Sequence, residues 1–435
     1  MSSSTISPRR TRYLRPVCAL TLASLALAAC GGSSTGESSG DEDVTLFFAW
    51  WGDDSRADRY EQSIDLFEEE HSGVTIQTSY AGFSDYWTAR NTEAAGGALP
   101  DVIQMDISYL STYGESGRVA SLDEFIGDQI DLSTMPESVL PAGQIDGTTY
   151  GIVTSTNTLS TFVDTDVTEA LGVEVPPAEG LTWDVYHQFL QDVAEAGANE
   201  SPAVYGSVDY TGFFWLFQMW LGQQGLDLFT EDGQLGFTEA DLAQWWSHTA
   251  DLRDDQTVMP ANRQEQITVD AAASGEVAAD ISWDNFLVRF NEGSGGDSYT
   301  MLPVPAGEDG NTGMFLKPGL LLSVSAQSEH PDVAAEFIDF IVNDPRVSEI
   351  FGTSRGVPAS ETSREGIDAT DLDQQILDYE DSVADLVGDT PPPPVDGFGT
   401  LEESFIRLHE NVNYGASTPE EAAAAWFTEA QSALG

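Results

Sequence analysis

Two short stretches of this 435-residue sequence set an aromatic plate beside a cluster of polar side chains: Trp50-Trp51-Gly52-Asp53-Asp54-Ser55-Arg56 and Trp283-Asp284-Asn285. Tryptophan next to carboxylates, a carboxamide and a guanidinium is the mix that small-molecule pockets use, a flat apolar face with a few oriented hydrogen-bonding groups. Each cluster ends an apolar run, Val44 to Ala49 and Val277 to Ser282, that reads as a strand. A run without polar alternation suits a strand covered on both faces, and open α/β sheets bind ligands beyond the carboxyl ends of their strands. Trp51, Asp53 and Arg56 are therefore expected at one such sheet edge, and Trp283, Asp284 and Asn285 repeat the design at another. The plainer reading, in which these tryptophans only fill cores, stands beside it.

Further candidates are placed by the same logic. Asp106 is the carboxylate that ends a short buried strand over Val102 to Asp106, with Tyr109 just beyond it, and Asn157 lies between two strand-like runs. Trp215 flanks a helix start and reads equally well as core or cleft. Lys317 is the only lysine of the chain beyond the first 29 residues, and a surface cation is its simpler reading. Arg355 precedes Gly-Val-Pro in a turn, where it either meets a ligand or clamps a backbone carbonyl. Trp183, Tyr186, Phe189 and Leu190 have core spacing on a helix, so Trp183 is read as packing; Trp245 and Trp246 are left as core or surface.

Motifs for catalysis are lacking. There is no G-x-S-x-G, no H-E-x-x-H and no Walker loop. The five histidines are scattered without ligand spacing, which speaks against zinc, and the acidic run Asp164 to Glu169 lacks the glycine of a calcium loop. No cofactor is called for. A glycosidase carboxylate pair is not disposed of by counting, because acids are everywhere.

The elements that must hold these residues follow in a β-α-β-α-β order. An amphipathic helix over 57–71 carries Tyr60, Ile64 and Phe67, an alternating strand covers Val74 to Tyr80, a helix covers Phe83 to Ala95, and the buried strand ends at Asp106. That order predicts an open, mostly parallel sheet. Strands are expected at Leu159 to Asp164 and Leu320 to Val324, and helices at 183–196, 212–223, 238–254 and 330–342. Pro391 to Pro394 forms a stiff spacer, and Thr418-Pro419-Glu420-Glu421 opens a last helix. About 400 residues exceed what one core usually covers, so two lobes are expected.

Charge and the first residues bound the surroundings. Residues 1–29 hold four arginines, no acid and a short apolar stretch, the pattern of an export signal, and Arg9-Arg10 leaves the twin-arginine route open beside the general one. Leu27-Ala28-Ala29-Cys30 resembles a bacterial lipoprotein box, which would make Cys30 the lipidated first residue, followed by a flexible Gly/Ser-rich linker over 30–43. Of 16 basic residues those four leave 12 against 73 acids, a formal charge of −61 on the exported part. Nucleic acid is excluded as a partner, since phosphate binding needs a basic face. No stretch approaches eighteen consecutive apolar residues, so attachment to the membrane is by anchor rather than by spanning.

The Trp-Trp-Gly-Asp loop, the run Ala95-Gly96-Gly97 to Met105-Asp106, Ser116-Gly117-Arg118-Val119-Ala120-Ser121-Leu122-Asp123, Asp146-Gly147-Thr148-Thr149-Tyr150-Gly151-Ile152, Leu181-Thr182-Trp183, Ile281-Ser282-Trp283 and Arg355-Gly356-Val357-Pro358 together resemble extracellular solute-binding protein family 1. These are maltose-binding-protein-like carbohydrate receptors of ABC importers, and the resemblance runs in order along almost the whole exported chain. It implies an α/β, two-lobed periplasmic-binding-protein-like fold with discontinuous lobes, a hinge and an interlobe cleft. On that frame the first lobe takes 44–154 plus 299–343 and the second 155–298 plus 344–435. The chain crosses first at Tyr150 to Thr154 and returns through Met301 to Pro305. A sugar needs flat faces for its C–H surface and hydrogen-bonding groups for its hydroxyls. Trp51, Tyr109, Trp215 and Trp283 are the candidate faces; Asp53, Arg56, Asp106, Asn157, Asp284, Asn285, Lys317 and Arg355 are the candidate polar partners. The function implied is capture of a carbohydrate, an oligosaccharide, without catalysis, and its delivery to the permease subunits by a monomer lipid-anchored at the outer face of the cytoplasmic membrane. The rivals are a secreted lipoprotein glycoside hydrolase and a receptor for a nonsugar solute.

Overall fold

The computed structural model describes residues 43–434 except 231, 232, 268, 297, 389 and 392. The expected signal, Cys30 and the linker to residue 42 lie outside the described residues, as does one proline of the 391–394 spacer. In chain order the strands are β1 (Val44–Trp51), β2 (Val74–Ala81), β3 (Val102–Met105), β4 (Gln144–Ile145), β5 (Thr148–Thr149) and β6 (Ile152–Asn157). After them come β7 (Leu159–Asp164), β8 (Tyr205–Ser207), β9 (Val277–Trp283), β10 (Tyr299–Leu302), β11 (Lys317–Val324) and β12 (Val357–Pro358).

Two sheets carry the site. A six-stranded sheet has the order β12-β6-β11-β3-β1-β2, and a four-stranded sheet has the order β10-β7-β9-β8. In the larger one β1 pairs parallel with both β2 and β3, joined by the helices Asp54–Glu70 and Phe83–Gly96. The first helix starts where Asp53 accepts from the Arg56 N–H at 3.0 Å, satisfying an end donor, and it buries the expected Tyr60, Ile64 and Phe67. β11 runs antiparallel to β3 and to β6, and β12 antiparallel to β6. The sheet is therefore mixed, which corrects the expectation of a mostly parallel one. Helical crossovers impose parallel pairing only on the first three strands, whereas β11 arrives from the other sheet in the opposite direction.

Strand pairing also moves the crossings. β6 stays in the six-stranded sheet through Asn157, so the chain leaves it at Thr158 rather than at Thr154. β10 pairs antiparallel with β7, register Met301 to Phe162, so Met301 and Leu302 remain in the four-stranded sheet. The return falls after them, before Lys317. Residues beyond 344 are shared: β12 joins the larger sheet, and Arg346 in the helix Pro345–Phe351 bonds Glu70 at 2.6 Å.

Three of the remaining helices share an aromatic core. Phe214 and Phe217 of the helix Phe214–Gln223 pack on Phe405 of Phe398–Asn413, and Phe214 also meets Trp426 of Pro419–Ala433. Trp245 and Trp246 are wholly buried, so both are core. Trp183 donates its indole N–H to Gln223 Oε1 at 2.8 Å and packs on Tyr210, as its spacing indicates. No described helix is long and apolar enough to cross a membrane.

Candidate functional site

Strand β1 ends in Trp51, whose indole lies edge-on to Phe83 and Tyr86, while Trp50 turns the other way and is fully buried against Tyr60 and Tyr80. Successive residues of a strand point to opposite faces, so a tandem pair gives one core ring and one at the sheet edge. Gly52 then lets the chain fold tightly over the next helix: a Cβ there would sit 2.6 Å from Arg56 Cδ. That room allows Arg56 to donate to the Trp51 carbonyl at 2.9 Å.

Trp51, Asp53 and Arg56 line a cleft of about 820 Å³ together with Trp283 and Asn285 from the tip of β9. Both sheets thus contribute to one cavity. Asp106, Asn157, Trp215, Lys317 and Arg355 line it as well.

Two expected residues do not reach it. Tyr109 stacks on Trp87 with ring centroids 3.7 Å apart and donates its hydroxyl to Glu403 at 3.0 Å, so its face is already covered. Asp284 is wholly buried behind the strand tip, where it accepts from the Thr158 N–H at 2.8 Å and the Asn285 N–H at 2.7 Å. With its amide turned so that nitrogen faces the carboxylate, Asn157 adds a bond to Asp284 at 3.1 Å. Asp284 therefore fastens the crossing between the sheets at Thr158. Glu380 faces it, and burial followed by that neighbouring charge pushes the Asp284 carboxyl well above the usual range. Burial likewise pushes Glu380 to about 7.

The floor of the cleft is a cation among rings and acids. Lys317 is 5 % exposed, which excludes the surface reading. Its ammonium lies 3.3 Å from Asp106 Oδ2, 4.7 Å from the Trp215 ring centre and 5.7 Å from that of Trp283. Asp106 caps the helix Ile107–Glu115 by accepting from Ser108 N–H at 2.9 Å. Ser108 in turn donates its hydroxyl to Glu402 Oε2 at 3.0 Å. Burial, and after it the Asp106 charge, pushes Glu402 up to about 7 while Lys317 pulls it back.

Glu402 was not visible in the sequence; it is one acid among 73, on a helix far along the chain. Asp280 and Asp209 also line the cleft. Asp280, in the middle of β9, is pushed to about 7 by burial. Asp209 is instead held far below the usual range: burial opposes this, but His409, Arg253 and Thr211 outweigh it, with Arg253 Nη1 at 2.7 Å. Among the described residues no group of His, Cys, Asp and Glu is arranged to hold a metal ion.

Residues 62–374 match the profile of the bacterial extracellular solute-binding proteins. An arabinooligosaccharide-binding protein of Bacillus subtilis is 22% identical over 335 residues, covering 74% of this chain and 75% of that one. Among solved structures, an extracellular solute-binding protein family 1 member from Alicyclobacillus acidocaldarius is 26% identical, with a TM-score of 0.63 over 91% of this chain and 99% of that one. A periplasmic oligogalacturonide-binding protein of Yersinia enterocolitica, solved with saturated digalacturonic acid, is 19% identical with a TM-score of 0.76, covering 90% and 98% of the two chains.

Proposed function

Because this chain belongs to the bacterial extracellular solute-binding protein family, we propose that it captures an oligosaccharide outside the cytoplasmic membrane and delivers it to the permease of an ABC importer. The observation that carries this is that Trp51 and Trp283, at strand tips of two different sheets, line one cavity with polar groups of opposite charge between them. At about 820 Å³ the cavity stands high in the range of roughly 300–1,000 Å³ usual for small-molecule sites, which favours more than one sugar ring. The arabinooligosaccharide-binding relative supports the same ligand class.

The lobes are assigned around the two sheets, with the hinge at Thr158 and in 303–316. Ligand held between them favours their closed arrangement, and the permease recognises that arrangement. ATP hydrolysis belongs to partner subunits. The receptor works as a monomer, tethered through a lipid on Cys30 at the outer face of the membrane, and it needs no cofactor.

A thermal-shift panel of oligosaccharides tests this reading. A ligand present at a hundred times its Kd stabilises the folded protein by about 2.7 kcal/mol. Trp51→Ala is expected to weaken the hit by roughly tenfold to a hundredfold, the loss of one stacked aromatic face. Unchanged affinity in both Trp51→Ala and Trp283→Ala variants would show that the site lies elsewhere.

A further inference from the structure

The cations of this protein are few and unevenly used. Of the twelve beyond the first 29 residues, Arg56, Arg59, Arg289, Lys317 and Arg355 line the cleft. Three have carboxylate partners: Lys317 with Asp106, Arg59 with Glu292 at 3.5 Å, and Arg289 with Asp270. Arg56 and Arg355 have none within ion-pair distance among the described residues. The Asp53 carboxylate accepts from the Arg56 backbone N–H instead.

Arg355 is 5 % exposed, its guanidinium carbon lies 3.7 Å from the centre of the Phe351 ring, and its Nη1 is buried without an acceptor. The backbone beneath it is fixed, since Ser155 Oγ donates to the Arg355 carbonyl at 2.5 Å and the following Gly356 has φ +104°, a conformation that other residues rarely adopt. Burial depresses both guanidinium pKa values, and the Arg355 charge depresses that of Arg56 further. Arginine stays protonated regardless. In a chain with 73 acids, two neighbouring guanidiniums that line a cleft with no carboxylate in ion-pair distance among the described residues are a specific arrangement, not a shortage of partners.

We propose, resting on the receptor reading above, that Arg56 and Arg355 form a carboxylate-recognition subsite and that the captured oligosaccharide carries uronic acid. A planar carboxylate matches the guanidinium fork, and Arg355 Nη1 still lacks the acceptor such a bond would supply. The ligand's charge supplies what the protein lacks at that point.

Titration calorimetry on the full chain tests this with galacturonate, glucuronate and mannuronate trimers, each paired with its carboxyl-reduced neutral counterpart. One acidic trimer is expected to bind about a hundredfold more tightly than its neutral partner. Arg355→Gln and, independently, Arg56→Gln are expected to bring the acid's affinity down toward the neutral sugar's, with folding of each variant checked by circular dichroism. A neutral trimer binding as well as its acidic partner overturns the subsite and leaves the receptor reading standing. Failure of all acidic and neutral sugars to bind overturns both.

Discussion

Replacing Lys317 by methionine is expected to cost about 3–5 kcal/mol of folding stability at pH 8, the usual loss when one partner of a buried ion pair is removed. Methionine has nearly the stem length of lysine, so packing on Trp215 and Trp283 is largely kept. What disappears is the one cation beside Asp106 and Glu402, whose carboxylates share Ser108. Left together, the two acids repel, and the pKa of Glu402, already raised to about 7, rises further. The deficit should therefore shrink toward pH 5, where Glu402 is protonated in both proteins. Denaturant unfolding at pH 8 and pH 5 measures it, and a deficit absent at pH 8, or equal at both values, would contradict this account of the cleft floor.

Stability of the native protein should itself be highest between about pH 4 and 5 and fall by several kcal/mol toward pH 8. Burial raises Glu402, Glu380 and Asp280 to about 7 and Asp284 in the same direction. An acid whose folded pKa lies above its unfolded value stabilises fully below the unfolded value of about 4, and that contribution is lost as pH rises through the folded one. Two histidines oppose this. Burial depresses His187 and takes His248 down to about 3, so their stabilisation is present above about 6.5 and lost on acidification. Each group acts at no more than about 1.4 kcal/mol per pH unit, so four carboxyls outweigh two imidazoles between pH 6.5 and 5. Relief of self-repulsion at a net charge of −57 acts in the same direction. Below about 4 the trend reverses, because Asp209 and Asp373 are held ionised by their partners. Equilibrium unfolding across pH 4 to 8 checks the sign; stability flat or rising from pH 5 to 8 contradicts it.

What the sequence makes legible here is local. An apolar run ending in tryptophan and polar residues marks a strand tip, and this pattern placed Trp51 and Trp283 at the edges of two sheets. A helix cap is equally local: Thr418, read as opening the last helix, accepts from the Glu421 N–H. Direction and distance are not. Nothing within β11 states that it runs antiparallel to β3, because pairing sense is decided by how the chain arrives. Glu402 enters the cleft only because its helix lies against Ser108, nearly three hundred residues earlier. Tyr109 missed the cleft for the same kind of reason, since Trp87 on another helix takes its face. Lys317 looked like a surface cation because the acids that bury it come from elsewhere in the chain.

On the function proposed here, the cleft between the two strand tips holds an intact oligosaccharide and does not cleave it. Calorimetric titration of the best-binding sugar, with chromatography of the mixture after prolonged incubation, tests this most directly. The expected result is saturable one-to-one binding, lost in a Trp51→Ala, Trp283→Ala double variant, with all of the sugar recovered at its original length. Shortened products that accumulate with time, or binding indifferent to both tryptophans, would contradict it.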